Sequence, residues 1–473
     1  MLVLALESST SAAKAMLFDT EKGVVDVETE PYGPQVDENG TQDTDAVFQS
    51  TMRVGRKVAQ GKEIAAIAVC GTWHSITVLD QKMQPATRTF SWSYMGASDV
   101  CKRIRRDEAL TSKLYQRTGC MPHVTYIRHT LMHLKEQGLD LSDKIFASQG
   151  GYNFYKLTGE LLESYSTASG SGLLNIHTKE YDPFVLDMVG IKHSQLGELA
   201  TYRDTRPLNG AGAELLGVRE GIPVVPPHPD GALNQIGSGA AHVGRMTFSV
   251  GTSAAIRLVT DRPVLPEEKQ TWCYVGVDGW IAGAATAGAC NCINWFKDIF
   301  LKGRWSFSEL EQEDDVGGDV PVFLPFLFGE RCPGWRDDRR GGFEGIKPGH
   351  TVRDLYRALQ AGIIFNVYQC YQALSKVIGE PKIILMSGGI LNSKQWTQMV
   401  ADIFQRTIFC AKTTQASMLG GAALAAYAAG ALKDVKNFVY DYDNVRSVNP
   451  RGEFAAYYKE QYERYCHWYE KTK

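Results

Sequence analysis

The chain lacks most features that mark a specialised protein. It has no long run of Lys or Arg, and its formal net charge is only −3, which offers nothing to a nucleic acid or an anionic membrane surface. No apolar stretch approaches the ~20 residues needed to cross a bilayer. The ten cysteines include no CxxC pair. Cys290 and Cys292, the one close pair, have no His or further Cys at ligand spacing, which argues against a metal site there. The cysteines therefore read as small buried hydrophobes of a reducing compartment. The chain enters strand-like sequence at once, without a basic region or cleavage signal. These absences predict a cytoplasmic protein whose partners are small molecules; assembly into a homodimer is allowed but not dictated.

The ordinary nucleotide signatures are missing too. Gly55 to Lys62 looks like a Walker loop, but five residues separate its glycines and Glu63 stands where Ser or Thr belongs. No GxGxxG opens a helix after a strand.

What is present is a repetition. Leu4-Ala5-Leu6-Glu7-Ser8-Ser9-Thr10-Ser11-Ala12-Ala13-Lys14 and Ser249-Val250-Gly251-Thr252-Ser253-Ala254-Ala255-Ile256-Arg257 lie about 240 residues apart. Each reads as two strands around a tight turn of Gly, Ser and Thr. Small residues leave backbone N–H groups and hydroxyls uncovered, and such a turn can cradle phosphate oxygens. Two cradles from two halves of a chain can grip one polyphosphate. At 473 residues, 44% of them hydrophobic, the chain supports two cores. The composition shifts at Gly237-Ser238-Gly239-Ala240-Ala241, so the expected domains are residues 1–242 and 243–473.

Strand and helix patterns alternate throughout, as in mixed α/β domains. Ile64 to Cys70 reads as a buried strand ended by Gly71, and Lys382 to Met386 as another. Helices are predicted over 43–61, 125–138, 183–190, 293–301, 352–378, 393–404 and 457–469, with an acidic loop at Glu309–Asp315. Ser387-Gly388-Gly389 follows a strand and would let a flat ligand lie against the backbone; Gly420-Gly421 offers close packing at the start of the next helix. Glu7, at the mouth of the first hairpin, is a candidate Mg²⁺ holder, directly or through water. Asp230 follows the strand-like Val224 to Pro229 and can accept a proton from a substrate hydroxyl, although Asp-Gly also suits a simple turn.

Taken in order, Glu7–Asp19, Pro229-Asp230-Gly231-Ala232, Gly251-Thr252-Ser253, Gly329-Glu330-Arg331, Arg340 to Gly345, Ser387-Gly388-Gly389 and Ala416 to Gly420 resemble the FGGY carbohydrate kinases across essentially the whole chain. The resemblance implies two actin-like, ribonuclease-H-like α/β domains with ATP and sugar in the cleft between them. It implies Asp230 as catalytic base and Glu7 at the metal-associated position. Thr10, Ser11 and Lys14 would line the first phosphate loop, Gly251 and Thr252 the second, and Gly388, Gly389 and Asn392 would approach the nucleoside. Trp73 and His74 resemble a substrate-contacting pair whose imidazole and indole N–H suit sugar hydroxyls. Several stretches, Gly251 to Arg257 and Trp295-Phe296-Lys297-Asp298 among them, are similar to the gluconate kinase branch.

The departures from the family pattern fall on functional positions. Glu7 replaces Asp, Ser9 replaces Gly, Tyr94 and Gly96 replace an Asp and an Arg of the substrate wall, and Gln415 replaces Glu. The expected activity is ATP-dependent phosphorylation of a hydroxyl on a small sugar or sugar acid, gluconate included. A ketose such as xylulose, or a polyol, is the alternative acceptor, and a degenerate nucleotide-binding sugar sensor the alternative class. With Tyr94 on the substrate wall, an acid would need a cation such as Arg331 or a protonated His74.

Overall fold

The computed structural model describes residues 1–311, 316–411, 415–438 and 445–472. Both expected hairpins form. Leu2–Ser8 pairs antiparallel with Ala12–Asp19, and Arg245–Val250 with Ala254–Thr260, each across a three-residue turn. Leu2–Ser8 is apolar on both faces along most of its length, the mark of a central strand covered on both sides. Arg245–Val250 instead alternates, with Met246, Phe248 and Val250 on one face and Arg245, Thr247 and Ser249 on the other.

The repetition extends to whole sheets. In the first half the strand order is Arg206–Pro207, Pro223–Pro229, Ile64–Gly71, Leu2–Ser8, Ala12–Asp19, Gly23–Pro31. In the second it is Arg446–Val448, Ile408–Cys410, Ile383–Ser387, Arg245–Val250, Ala254–Thr260, Trp280–Thr286, Trp272–Val275. Both run as an antiparallel edge, two strands parallel to the leading strand of the hairpin, then an antiparallel meander. The second adds one further strand at the meander edge. The expected pair of α/β lobes is therefore present, built on one topology used twice.

The helices follow their sequence signals. Thr44–Ala59 starts where the Asp43 side chain accepts from Ala46 N, 2.9 Å. Val352–Ile378 carries a capping box between Thr351 and Asp354 and stops at Gly379, φ +84°. Ile127–Glu136, Pro183–Val189, Lys394–Phe404 and Ala455–Lys471 fall on the remaining expected segments.

Four expectations need adjusting. The segment expected as one helix over 293–301 is a short α-helix, Cys290–Asn294, that widens into a π-helical turn, Trp295–Phe300. Gly71 is the last residue of its strand and not a stop after it. Of the acidic loop, Phe307–Leu310 is a helical turn capped by Ser306, and residues 312–315 lie outside the described residues. Gly420 and Gly421 are inside the helix Ala416–Ala428, not at its start.

That helix joins the two halves. It comes late in the chain, yet Met418, Leu419, Ala422 and Ala423 share a buried cluster with Val3, Ala5, Ala66 and Ala68 of the first sheet. It also crosses Asp230–Gly237 so closely that a β-carbon at Gly237 would run into the Ala416 carbonyl, and one at Gly420 into the Leu233 carbonyl. Glycine is required at this crossing by space, not by backbone conformation.

The first half also holds a buried carboxyl, Glu163, that has no cation beside it among the described residues. Glu163 accepts from Ser148 N at 2.7 Å and from Ser148 Oγ at 3.0 Å, and burial, opposed by these bonds, pushes its pKa up to about 7. Its folded pKa is above the unfolded value of 4.5, so its contribution to stability is complete below that pH and is lost as pH rises through about 7. Glu163→Gln should therefore be the more stable form at about pH 8, by on the order of 2 kcal/mol, and lose that advantage at about pH 5. Thermal unfolding of both proteins across this range checks it; parallel pH curves would clear Glu163.

Candidate active site

The two hairpin turns and the first residue of the crossing helix meet at the junction of the halves. Strand pairing sets Glu7 opposite Lys14 on the first hairpin, and their side chains form an ion pair, Nζ to Oε1 2.9 Å. Burial alone would lower the Lys14 pKa, but attraction and hydrogen bonding from Glu7 outweigh it and raise the value. Glu7 is only 2% exposed, and its other oxygen accepts from Ser417 Oγ at 2.6 Å. Ser417 belongs to the helix Ala416–Ala428, so this hydrogen bond ties the second half to the first hairpin.

Thr10 is held in place from two sides. Its carbonyl accepts from Gln42 Nε2, 2.7 Å, and its hydroxyl accepts from Trp92 Nε1, 3.0 Å, leaving the hydroxyl proton free to donate. Ser11 is exposed beside it. In the second turn Gly251 N donates to Ser253 O at 2.9 Å, while the carbonyls of Gly251 and Thr252 accept from Cys290 N and Asn291 N. A β-carbon on Gly251 would meet nothing within 4 Å, so the space over this turn is free for a ligand. Thr252 is exposed and lines two adjoining cavities, of about 630 and 270 Å³.

The smaller cavity is walled by Ser249, Gly251, Ser253, Ser387, Gly388 and Ala416, among others. Gly388 has φ +98° and a β-carbon there would strike the Val250 carbonyl, so glycine lets the two strand ends lie together. Gly389 follows at the head of the 3₁₀ turn Gly389–Asn392, where a β-carbon would face Cys290 Sγ at 3.6 Å. Asn392, expected at the nucleoside, is exposed at the far end of that turn and is not among the residues lining the smaller cavity.

Asp230 is the first residue of the helix Asp230–Gly237, which resolves the turn reading in favour of a helix N-terminus. Gly231 N donates to its Oδ1 at 2.7 Å. Burial and then the nearby Glu7 charge raise its pKa, against Arg257, the Gly231 N–H and Lys14. A carboxylate moved upward toward neutrality is a better proton acceptor than an ordinary one.

The Trp73–His74 pair is beside this helix but differs from expectation in its chemistry. A β-carbon on Gly231 would collide with the Trp73 ring, and Trp73 Nε1 already donates to Ser166 O, 2.9 Å, so the indole supplies a surface and not a hydrogen bond. His74 Nδ1 lies 2.7 Å from Gly170 O and so carries the proton, leaving Nε2 as an acceptor. Burial, reinforced by Arg331, drives the His74 pKa down to about 3, which rules out the protonated His74 considered as a carboxylate partner. Tyr94 is also corrected. Its ring packs on Phe90 (4.8 Å) and near His133 (6.1 Å), and the larger cavity is walled on that side by Trp92, Ser93 and Met95. Gly96 gives it room, since a β-carbon there would meet the Tyr94 ring.

Residues that sequence reasoning gave no role complete the site. Arg257 stands beside Gly231, with Nη1 on Ser249 Oγ at 3.2 Å and a buried Nε that has no partner among the described residues. Its position in the quoted Gly251–Arg257 run was the available signal. Ser417 was likewise inside a quoted motif. Thr125, on the wall of the larger cavity with Arg331, gave no signal at all.

A duplicated α/β fold with two hydroxyl-bearing turns facing a shared cleft and a carboxylate between them defines a two-lobed phosphotransferase. The chain matches the FGGY family of carbohydrate kinases, N-terminal domain, over residues 2–237 and its C-terminal domain over 246–429, and belongs to that family. A gluconokinase of Bacillus licheniformis is 27% identical over 90% of this chain and 88% of its own. A xylulose kinase of Staphylococcus epidermidis is 25% identical over 100% and 97%. Crystal structures of a gluconate kinase and a ligand-bound xylulose kinase, both from Lactobacillus acidophilus, superpose with TM-scores of 0.91 at 26% identity. They cover 99% and 98% of this chain, and it covers 97% of each. Kinases of this family use ATP, and this chain is a carbohydrate kinase. Among the described residues no helix is long and apolar enough to cross a membrane.

Both turns are expected to hold one phosphate chain. Thr252→Val, which keeps shape and removes the hydroxyl, should weaken ATP binding about 5- to 10-fold, the scale of one hydrogen bond. Thr10→Val should weaken it at least as much, because it also strips Trp92 Nε1 of its acceptor. Calorimetry that finds either turn indifferent to ATP would reduce the repeat to fold symmetry.

Proposed function

We propose that this kinase transfers the γ-phosphoryl of ATP to a hydroxyl of a small open-chain sugar acid of the gluconate type. The observation that carries the acid is Arg331. It is 8% exposed, lines the larger cavity, has a buried Nε with no partner, and has no carboxylate within ion-pair distance among the described residues. The acids around it already have counter-ions. Asp337 is paired with Arg105 at 2.6 Å, and Glu330 with Arg339 at 2.9 Å. Behind the wall Arg128 is fully buried against neutral groups only, Thr118 Oγ1, Cys120 O, Gly172 O and His129 Nε2. A buried guanidinium without a counter-charge is costly, and an anionic acceptor would offset that cost.

In this reading Thr10, Ser11 and Lys14 from one turn, and Gly251 and Thr252 from the other, hold the phosphate chain, with the nucleoside toward Gly388 and Gly389. Asp230 takes the proton from the acceptor hydroxyl as its oxygen attacks the γ-phosphorus in line; the bond to the β-bridging oxygen breaks, and ADP leaves. Trp73 covers the base and excludes water, and His74 Nε2 accepts from an acceptor hydroxyl. Both Glu7 oxygens are engaged, by Lys14 and Ser417, so a magnesium ion fits Glu7 through water and not in place of these partners. When bound, the ion would neutralise phosphate charge. The lobes 1–242 and 243–473 and a cytoplasmic location are parts of the same proposal.

Asp230→Asn should retain ATP affinity and lower kcat by at least ~10²-fold, the scale of a lost general base. Near-normal turnover would remove Asp230 from the role. Arg331→Gln should raise KM for gluconate about 10-fold or more while leaving KM for a neutral ketose or polyol within about 2-fold, since charge-assisted bonds are worth roughly 1.5–3 kcal/mol. A uniform change across acids and neutral sugars, in a variant with unaltered melting, would argue for the xylulose-type alternative.

A further inference from the structure

Glu7 is a buried carboxylate shared by two partners from opposite ends of the chain. Lys14 Nζ donates to its Oε1 at 2.9 Å and Ser417 Oγ to its Oε2 at 2.6 Å, while Cys70 Sγ, a weak donor, lies 3.8 Å from Oε2. With both oxygens held, the carboxylate cannot turn about its last torsion without breaking these bonds. Lys14 Nζ has no other hydrogen bond among the described residues, and the side chain is 25% exposed. Its direction is therefore set by Glu7, and that of Glu7 by Ser417. Ser417 is a firm anchor, because it follows Ala416, whose carbonyl lies where a β-carbon of Gly237 would stand; the start of the helix is pinned against Asp230–Gly237. The length of Glu7 matters as well. An Asp there, shorter by one carbon–carbon bond of about 1.5 Å, would not reach Lys14 and Ser417 together.

We infer that Ser417 is a positioning residue for the nucleotide: through Glu7 it holds the Lys14 ammonium against the phosphate chain, so that the grip of the first hairpin depends on a hydroxyl of the second half. In this role Ser417 acts only through Glu7 and makes no bond of its own to ATP. A hydroxyl bond to a carboxylate is stronger than one between neutral groups, so Ser417 is the strongest restraint on Oε2. Lysine is a point charge on a flexible four-carbon stem, and a lysine tied to a loosened carboxylate spreads that charge over several rotamers instead of one. The Glu7–Lys14 pair then survives, but its placement does not.

The inference rests on the reading that Lys14 holds phosphate, and the test separates the two. Binding of ATP and of adenosine is measured by calorimetry in the wild type, Ser417→Ala, Ser417→Thr, Lys14→Gln and the Ser417→Ala/Lys14→Gln double variant. Ser417→Ala should weaken ATP about 5- to 10-fold and leave adenosine, which has no phosphate, within about 2-fold. Ser417→Thr keeps the hydroxyl and should bind ATP as the wild type does. Lys14→Gln can still bond Glu7 but carries no charge, and should weaken ATP at least as much as Ser417→Ala. Adding Ser417→Ala to it should then cost nothing further, although no bond joins the two side chains. Additive losses, an equal loss of ATP and adenosine, or a lower melting temperature with ATP affinity intact would make Ser417 a strut between the halves and overturn its role, while Lys14 kept its own. Lys14→Gln with unaltered ATP affinity would overturn both.

Discussion

The structure depends on one steric constraint, the contact of two helices at a distance that admits no β-carbon. Asp230–Gly237 and Ala416–Ala428 cross with Gly237 against the Ala416 carbonyl and Gly420 against the Leu233 carbonyl. The first helix begins with Asp230, and the second begins beside Ser417, which bonds Glu7. Fixing one against the other thus fixes Asp230 relative to the first hairpin. The crossing also explains why a late helix completes the core of the early sheet, where a β-carbon at Gly421 would come within 3.2 Å of the Ala5 β-carbon. Larger side chains would push the helices apart to ordinary packing distances of ~8–10 Å and open the site.

Around that frame the charges divide into two groups. Some are paired, as in Lys14–Glu7, Arg105–Asp337 and Arg339–Glu330. Others are not: Arg331 has no carboxylate within ion-pair distance among the described residues, and Asp230 carries a raised pKa. Arg257, beside Gly231, has a buried Nε without a partner among the described residues. Desolvation makes each of these costly to leave alone and strong once a ligand supplies the partner. His74 is instead kept neutral by burial.

Much of the fold was legible because it follows from local rules. The hairpins, the capped helix Val352–Ile378 and the paired turns are visible as alternation, capping residues and small-residue clusters. The helix at 293–301 was misjudged because apolar periodicity does not distinguish an α-helix from one that widens into a π turn. The proposed site was legible where a residue type suggests its chemistry, as for Asp230, Thr10 and Thr252. It was not where orientation decides. Tyr94 occupies a motif position, yet its ring turns into the core against Phe90. Trp73 has the right donor, already spent on Ser166 O. Sequence order carries none of these directions.

The central claim is that the cleft passes a phosphoryl group to a sugar hydroxyl and not to water. Phosphorus NMR of the enzyme turning over ATP with gluconate tests it most directly. The account predicts one new phosphomonoester resonance, coupled to carbon-bound protons of the acceptor, growing in step with ADP and with no inorganic phosphate. ADP accompanied by inorganic phosphate alone, at a rate indifferent to every acceptor added, would contradict it.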